Sequence, residues 1–343
     1  MPETIRVSAS TIRDVAREAR VAVSTVSRVL NESGAAAEPT RKRVLDAVAR
    51  LGYRPSGAAQ SLRKGRTMTI GVLLPDLANP VFVSYLRGAE RMAETHGYSV
   101  FTCDGQDSAE AERRGLLRLY ERRVDGLLLG GPVSAASIDL FCDAGIPVEP
   151  FLPGQREAPF PRAALEEGAT LTAFRSLLRL GHRRVAFFSR QRADSLASSG
   201  VSSFRYEILR HALAESGVTR DETLNVVTGA DHCRAEVQRL AALAQPPTAY
   251  VAGSHVLAAP LLSAIYDAGL SIPHEVSFIS FGDSPWAVAH RPPISVVRFD
   301  YAEEARCYMQ RLVARIEGRA DIPEVPRLPS EFVPRGSCAK AAP

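Results

Sequence analysis

Thr11-Ile12-Arg13-Asp14-Val15-Ala16-Arg17-Glu18-Ala19-Arg20-Val21-Ala22-Val23-Ser24-Thr25-Val26-Ser27-Arg28-Val29-Leu30-Asn31 reads as two short helices joined by a tight turn. Thr11 stands three residues before Asp14, so its hydroxyl can accept the N–H of residue 14 while the carboxylate reaches back. That reciprocal cap starts a helix at Ile12. Ile12, Val15, Ala16 and Ala19 then recur at i, i+3, i+4 and i+7, one apolar stripe for a second helix to pack on. Val26, Val29 and Leu30 form the second stripe, and the link of Arg20, Val21 and Ala22 is short enough to demand a sharp crossing. Val23, Ser24, Ser27 and Arg28 are left facing outward.

Two helices joined in this way can place the second in the major groove of DNA, where small side chains permit close approach and an arginine can fork onto guanine O6 and N7. Arg28 is the candidate for that fork; the alternative is a solvated arginine or a phosphate contact. Charge agrees with a nucleic-acid partner. Residues 1–66 hold 13 Lys and Arg against 6 Asp and Glu, whereas the remainder holds 29 against 32, an asymmetry that the whole-chain balance of +4 conceals. A third helix is expected from Pro39 to Leu51, with Val44, Leu45, Val48 and Leu51 inward and Gly52 ending it. A head of about 50 residues buries little apolar area and gains from DNA or from dimerisation. The segment from Tyr53 to Arg66 is too polar for a core and reads as a hinge.

Beyond Thr67 short apolar runs alternate with helical patterns. Strands are expected at 68–74, 99–103, 126–129, 185–189, 224–227, 249–252 and 276–281. Helices are expected at 83–96, 109–122, 169–179, 203–216, 235–243 and 256–268. This alternation argues for parallel sheets with helices on both faces, over a length that suits two lobes. The fold class is therefore an all-α helix-turn-helix head followed by an α/β two-lobed body. Met1-Pro2-Glu3 opens without the basic and apolar regions of a secretion signal, and no apolar run nears the ~20 residues of a membrane span, so a cytoplasmic location and no membrane partner are expected. Cys103, Cys142, Cys233, Cys307 and Cys338 show neither CxxC spacing nor clustered histidines; they read as buried small apolar groups, with Cys338 in a loose tail. No nucleophile elbow, phosphate-cradling loop or HExxH element is present, so neither catalysis, a metal nor a cofactor is expected.

From Thr11 to about Ser337 the chain resembles the LacI/GalR family of bacterial transcription regulators. The resemblance is carried by Asp14-Val15-Ala16, by Thr25-Val26-Ser27-Arg28-Val29-Leu30-Asn31, by Gly52-Tyr53-Arg54-Pro55 with Ala59 and Leu62, and by Leu180-Gly181-His182-Arg183-Arg184-Val185-Ala186. It implies a homodimeric regulator, a repressor, of a near-palindromic double-stranded operator, modulated by a small carbohydrate-like ligand between the lobes of a periplasmic-binding-protein-like body. The implied domains are a head at 10–55, a hinge at 56–66, a body at 67–337 and a tail at 338–343. One lobe takes 68–163 with 297–326, the other 164–296 with 327–337. DNA contacts are expected from Thr11, Arg20, Val23, Ser24, Thr25, Ser27, Arg28, Asn31, Tyr53, Ala59 and Leu62. The resemblance has the hinge fold on DNA, paired with its copy, with Leu62 as a wedge between central base pairs; the alternative for Leu62 is a linker residue docked on its own body.

Effector contacts are expected from Asn79, Phe82 and Asp104 after the first two strands, and from Arg205, His255, Asp283 and Trp286 in the second lobe. Each has a plainer alternative: a helix ion pair for Arg205, a satisfied core or surface group for His255, a loop cap for Asp283 and a surface aromatic for Trp286. The chain also departs from the family pattern. Ala164, Ser254-His255 and Gly282 stand where polar ligand-reading groups are usual, each lost hydrogen bond weakening sugar recognition by roughly 0.5–1.5 kcal/mol. Arg20 stands where the turn usually has glycine, and Ala22 and Ala37 where helix-capping hydroxyls are usual. Each missing cap costs about 1 kcal/mol and an arginine held at positive φ about 1 kcal/mol more; Gly57 disfavours a hinge helix by about as much. A head less stable off DNA is the expectation.

Overall fold

The computed structural model describes residues 10–30, 36–53, 65–106, 108–130, 135–151, 161–190, 200–219, 221–326 and 328–341. They form two compact units that part between Thr67 and Met68.

Among the described residues of the first unit there are three helices, α1 (Ile12–Ala19), α2 (Val23–Leu30) and α3 (Glu38–Leu51). Val15, Ala16, Ala19, Val26, Val29, Val44 and Ala47 make its core, with Tyr53 packed at the edge. The expected stripe on α3 is corrected at one position. Leu45 is 45% exposed and Ala47 is buried, because the inward face runs through 44, 47, 48 and 51, and residue 45 lies one helical step off it. Thr11 caps α1 reciprocally with Asp14 as the spacing requires. At the other end Arg20 occupies the left-handed region at φ 53° and ψ 49°. Ala22 starts α2 with its carbonyl alone, accepting Thr25 N at 2.9 Å, and Ala37 starts α3 without a side-chain cap.

The described residues of the second unit form two sheets, parallel except for one edge strand. The first lobe contains β1 (Thr69–Leu74), α4 (Pro80–Thr95), β2 (Ser99–Asp104), α5 (Ala109–Glu121), β3 (Gly126–Leu129), α6 (Ala135–Asp143) and β4 (Val148–Pro150). Its strand order is β2-β1-β3-β4. The second lobe contains α7 (Pro161–Arg179), β5 (Val185–Arg190), α8 (Gly200–Glu215), β6 (Asn225–Thr228), α9 (Cys233–Ala241), β7 (Ala249–Ala252), α10 (His255–Asp267), β8 (Ser277–Phe281), α11 (Pro285–Ala289) and β9 (Ser295–Phe299). The chain then returns to the first lobe as α12 (Tyr301–Ile316) and to the second as β10 (Ser330–Val333), antiparallel to β9. The larger sheet runs β10-β9-β8-β7-β5-β6.

Alternation along the strands explains the layers. Ile70, Val72 and Leu74 face α4 and α12, while Leu73 faces α5 and α6. In the second lobe Phe188, Tyr250 and Phe278 face α9 and α10, and Phe187, Val251 and Ile279 face α7 and α8. The approach of α4 to α12 requires Gly88, where a Cβ would lie 1.9 Å from the Ala302 carbonyl oxygen.

Two expected boundaries are corrected. The return to the first lobe falls after Phe299 and not at 296, because β9 stays in the second sheet to its last residue, Phe299 pairing with Ser330. The segment expected as a tail from 338 is docked: Ala339 N donates to Ser277 Oγ at 3.0 Å and Ala341 N to the Leu180 carbonyl at 2.8 Å. His182 secures the same segment, its Nε2 lying 2.8 Å from Ser277 Oγ and 3.0 Å from the Ala339 carbonyl. Cys338 is therefore half-buried, while Cys142 is exposed and only Cys103, Cys233 and Cys307 are buried as expected. Among the described residues no helix is long and apolar enough to cross a membrane.

Candidate functional site

The head presents one polar helix face. Val26 and Val29 anchor α2 in the core, which turns Val23, Ser24 and Arg28 outward, with Thr25 and Ser27 half-buried beside them. Arg28 is exposed and no described residue pairs with it. Arg20 is exposed in the turn, and Thr11 is exposed with its hydroxyl donating to Asp14 Oδ2 at 2.6 Å. Those hydrogen bonds from Thr11, together with Arg17 nearby, hold the Asp14 carboxyl below its ordinary pKa, so the cap is charged at neutral pH. Tyr53 packs against the head core. Asn31, Ala59 and Leu62 lie outside the described residues.

The body gathers its candidates at the carboxyl ends of parallel strands, where open α/β sheets place ligands. On the first lobe Asn79 caps α4, its Oδ1 accepting Val81 N at 3.1 Å. Asp104, ending β2, accepts Leu77 N at 3.2 Å and Gln106 N at 3.0 Å, which ties the loops after β1 and β2 together. Phe82 is a core residue next to Tyr85.

On the second lobe Arg205 lies with its guanidinium 4.1 Å from the centre of the Phe281 ring, and its Nη1 donates to the Gly253 carbonyl at 2.8 Å. His255 begins α10 and lies 6.2 Å from Trp286, ring to ring. Gly282 has φ 93°, and a Cβ there would fall 2.5 Å from His255 Nδ1, so only glycine lets the imidazole sit at the end of β8. Burial lowers the pKa of His255, with the backbone of Gly282 and Phe281 and the Asp283 carboxylate pulling the other way. The neutral ring offers one donor and one acceptor. Asp283 is gripped by Arg335, Nη2 to Oδ2 at 2.6 Å.

Several residues at these edges were not read from the sequence. Asp76, two residues past β1, meets Arg190 at the end of β5 at 2.9 Å. Their signal was position: charged side chains at strand ends on the ligand edge. Arg335 carries none, since its partner lies 52 residues earlier. Ser254 Oγ and Ser284 Oγ are buried without a hydrogen-bond partner among the described residues, and neither ring nitrogen of His255 meets one in good geometry although the Gly282 and Phe281 backbone lies close by. They concentrate unmet polar capacity between the ends of β7 and β8.

A helix-turn-helix head joined to a two-lobed α/β body with candidate ligand groups at its strand ends defines a DNA-binding regulator with a sensor domain. Comparison with known proteins supplies the family. Residues 11–56 match the model described as bacterial regulatory proteins, lacI family, and residues 174–338 match the periplasmic binding protein-like domain. The chain is 30% identical over 323 residues to the ribose operon repressor of Halalkalibacterium halodurans, covering 90% of this chain and 91% of that one. It is 28% identical over 334 residues to the transcriptional repressor PurR of Photobacterium profundum, covering 96% and 98%. The fold superposes on the lac repressor dimer bound to operator and an anti-inducer with a TM-score of 0.80 at 23% identity, over 97% of this chain and 100% of that one. It superposes on the regulator CelR in complex with cellobiose at 0.66 and 26%, over 96% and 99%. The chain belongs to the lacI family of bacterial regulatory proteins, and it is a DNA-binding transcription regulator.

Proposed function

We propose that this regulator represses transcription by binding a near-palindromic operator as a homodimer, with affinity set by a small polar ligand between its lobes. The observation that supports the DNA reading most directly is the face of α2: two buried valines orient the helix, and an exposed arginine with no partner among the described residues stands beside small hydroxyl side chains. In this reading Val23, Ser24, Thr25, Ser27, Arg28 and Asn31 enter the major groove, and Thr11, Arg20 and Tyr53 contact the backbone around it. Residues 10–55 are the head and 56–66 the hinge, where Ala59 and Leu62 serve a paired element in the minor groove. The regulator acts in the cytoplasm and carries out no catalysis. Retardation of genomic fragments at several salt concentrations tests this. Binding to particular fragments that falls steeply as salt rises supports the reading, and equal retardation of all duplexes refutes it.

For the cleft, Ser254, His255, Ser284 and Trp286 are the effector-facing groups we favour, with Asn79, Phe82, Asp104, Arg205 and Asp283 shaping the edges around them. An imidazole and two hydroxyls with unmet hydrogen bonds beside an indole suit an uncharged polar ligand with one apolar face. A second reading takes no small solute and is favoured by a specific observation: the charged groups at these edges are already matched, Asp283 by Arg335, Asp76 by Arg190, and Arg205 by the Gly253 carbonyl. Calorimetry against a panel of metabolites separates the two, since heat from any sugar or related solute supports the first and silence with intact operator binding supports the second.

A further inference from the structure

We propose that the ion pair between Asp76 and Arg190 is a latch between the two lobes of the body. Asp76 follows β1 of the four-stranded sheet and Arg190 ends β5 of the six-stranded sheet, so the partners, 114 residues apart, belong to different lobes. Arg190 Nη2 lies 2.9 Å from Asp76 Oδ2, with side chains only 19% and 14% exposed. At that degree of burial the attraction is screened less by salt than that of a surface pair.

Both ends are fixed to their own lobe. Asp76 Oδ1 accepts Ala78 N at 2.9 Å and its carbonyl accepts Asn79 N at 3.2 Å, which locks the turn that carries it. The Arg190 backbone is in register with Thr228 of the neighbouring strand. Neither side chain can follow the other if the lobes part, so a separation of a few ångströms removes this close contact and its attraction. On the same body α4 of the first lobe touches α10 of the second. Asp104 and Asp283 at these edges are each held within their own lobe, Asp104 by the amides of Leu77 and Gln106 and Asp283 by Arg335. The latch therefore favours the closed arrangement on the chain's own account, and a ligand shifts that balance only by its preference for one arrangement. Its effect on operator binding rests on the function proposed above.

The test is a distance measurement on the full chain. Spin labels are placed at Leu117→Cys on α5 and Val227→Cys on β6, both exposed positions, in a Cys142→Ser background, with labelled chains diluted into unlabelled ones. Asp76→Asn keeps an oxygen for the Ala78 amide, and Arg190→Gln removes the cation. Each alone is expected to lengthen or broaden the distance between lobes, and the two together to do no more than either. Arg190→Lys, and the swap of Asp76→Arg with Arg190→Asp, are expected to restore much of the narrow distribution; the lysine variant decides if the swap does not fold. Unchanged distances in both single variants, or a double variant that opens by the sum of the two, overturn the latch. Operator affinity measured on the same variants is expected to change by roughly fivefold or more, equally for the two single variants. Distances that respond without any change in operator affinity overturn the regulatory role. A wild-type chain that binds no duplex selectively overturns the earlier reading of function, and the distance measurement still decides the latch.

Discussion

Arg335 holds Asp283 with both terminal nitrogens of its guanidinium, Nη1 to Oδ1 at 2.9 Å and Nη2 to Oδ2 at 2.6 Å. The same Nη1 donates to the Ile294 carbonyl, and the Arg335 amide donates to Ser295 Oγ. A residue expected on sequence grounds to read ligand hydroxyls is thus matched by a planar fork that cancels its charge and pins the turn leading through Ser284 into α11, which carries Trp286. Asp283 positions that loop.

Removing the fork leaves a carboxylate that is 23% exposed without its partner. Arg335→Met is expected to destabilise the body by about 2–3 kcal/mol, below the 3–5 kcal/mol of fully buried pairs because some water reaches this one. Asp283→Asn added to it should return part of that loss. Urea unfolding of the two variants and their combination measures this; an unaltered midpoint for Arg335→Met would show that the pair adds nothing to folding.

Arg28→Ala is expected to weaken operator binding by about 1–3 kcal/mol and to relax preference at one base pair in each half-site. Binding measured against operators substituted at each position checks this. Equal weakening across all of them would make Arg28 a phosphate contact.

The bare caps of the head can be filled. Ala22→Ser and Ala37→Ser each supply a hydroxyl to a helix start that has none, and each is expected to stabilise the head by about 1 kcal/mol. Arg20→Gly relieves a left-handed arginine and should add a similar amount. Thermal unfolding without DNA gives the answer, and no rise in any of the three would show that these sites are already relaxed.

Acid should weaken the body before it reaches the carboxylates. Burial lowers the pKa of His182 below the ordinary 6.5, although the Ala339 carbonyl pulls it up, and burial lowers that of His255 as well. The native state therefore prefers both rings neutral, while the unfolded chain takes up protons near pH 6.5. Stability is expected to be full above that value and to fall progressively as pH drops from it toward the lower folded values. Denaturation between pH 8 and 5 tests the slope, and His255→Gln should flatten it. A slope that appears only below pH 5, where carboxylates titrate, would exclude the histidines as its source.

The helical head was legible because its information is local. Thr11 and Asp14, or Val26 and Val29, lie within one or two turns of each other, and the periodicity that buries them is written in consecutive residues. The parallel strands that were expected were read to within a residue or so for the same reason, whereas β4, β9 and β10 were not read; each of these three carries a proline, a charged or a polar residue that breaks the apolar run. Helix α12 was missed as an element although it carries a readable start, Asp300 Oδ1 accepting Glu303 N at 2.9 Å ahead of Ala305, Met309, Leu312 and Val313. The chemistry of the cleft was least legible. Arg205, His255, Asp283 and Trp286 could be named, yet the contacts of such groups depend on residues far away in the chain: Arg205 on Gly253 and Phe281, Asp283 on Arg335, Asp76 on Arg190. No local pattern records such pairs. The docked C-terminal segment escaped for a related reason, since its bonds run from the backbone of Ala339 and Ala341, which any sequence would offer.

The order of synthesis gives the returning chain a further meaning. The first lobe needs α12 to cover one face of its sheet, and the second needs β10 and the strand-like run through Ser337 and Ala339 to finish its edge and satisfy Phe278 and Ser277. The head, by contrast, is self-contained within the first 67 residues. A ribosome thus releases a foldable DNA-binding module long before either half of the sensor has all its parts, the first lobe waiting for α12 and the second for β10 and the run behind it. A message truncated late would leave behind a reader of DNA with no governor attached.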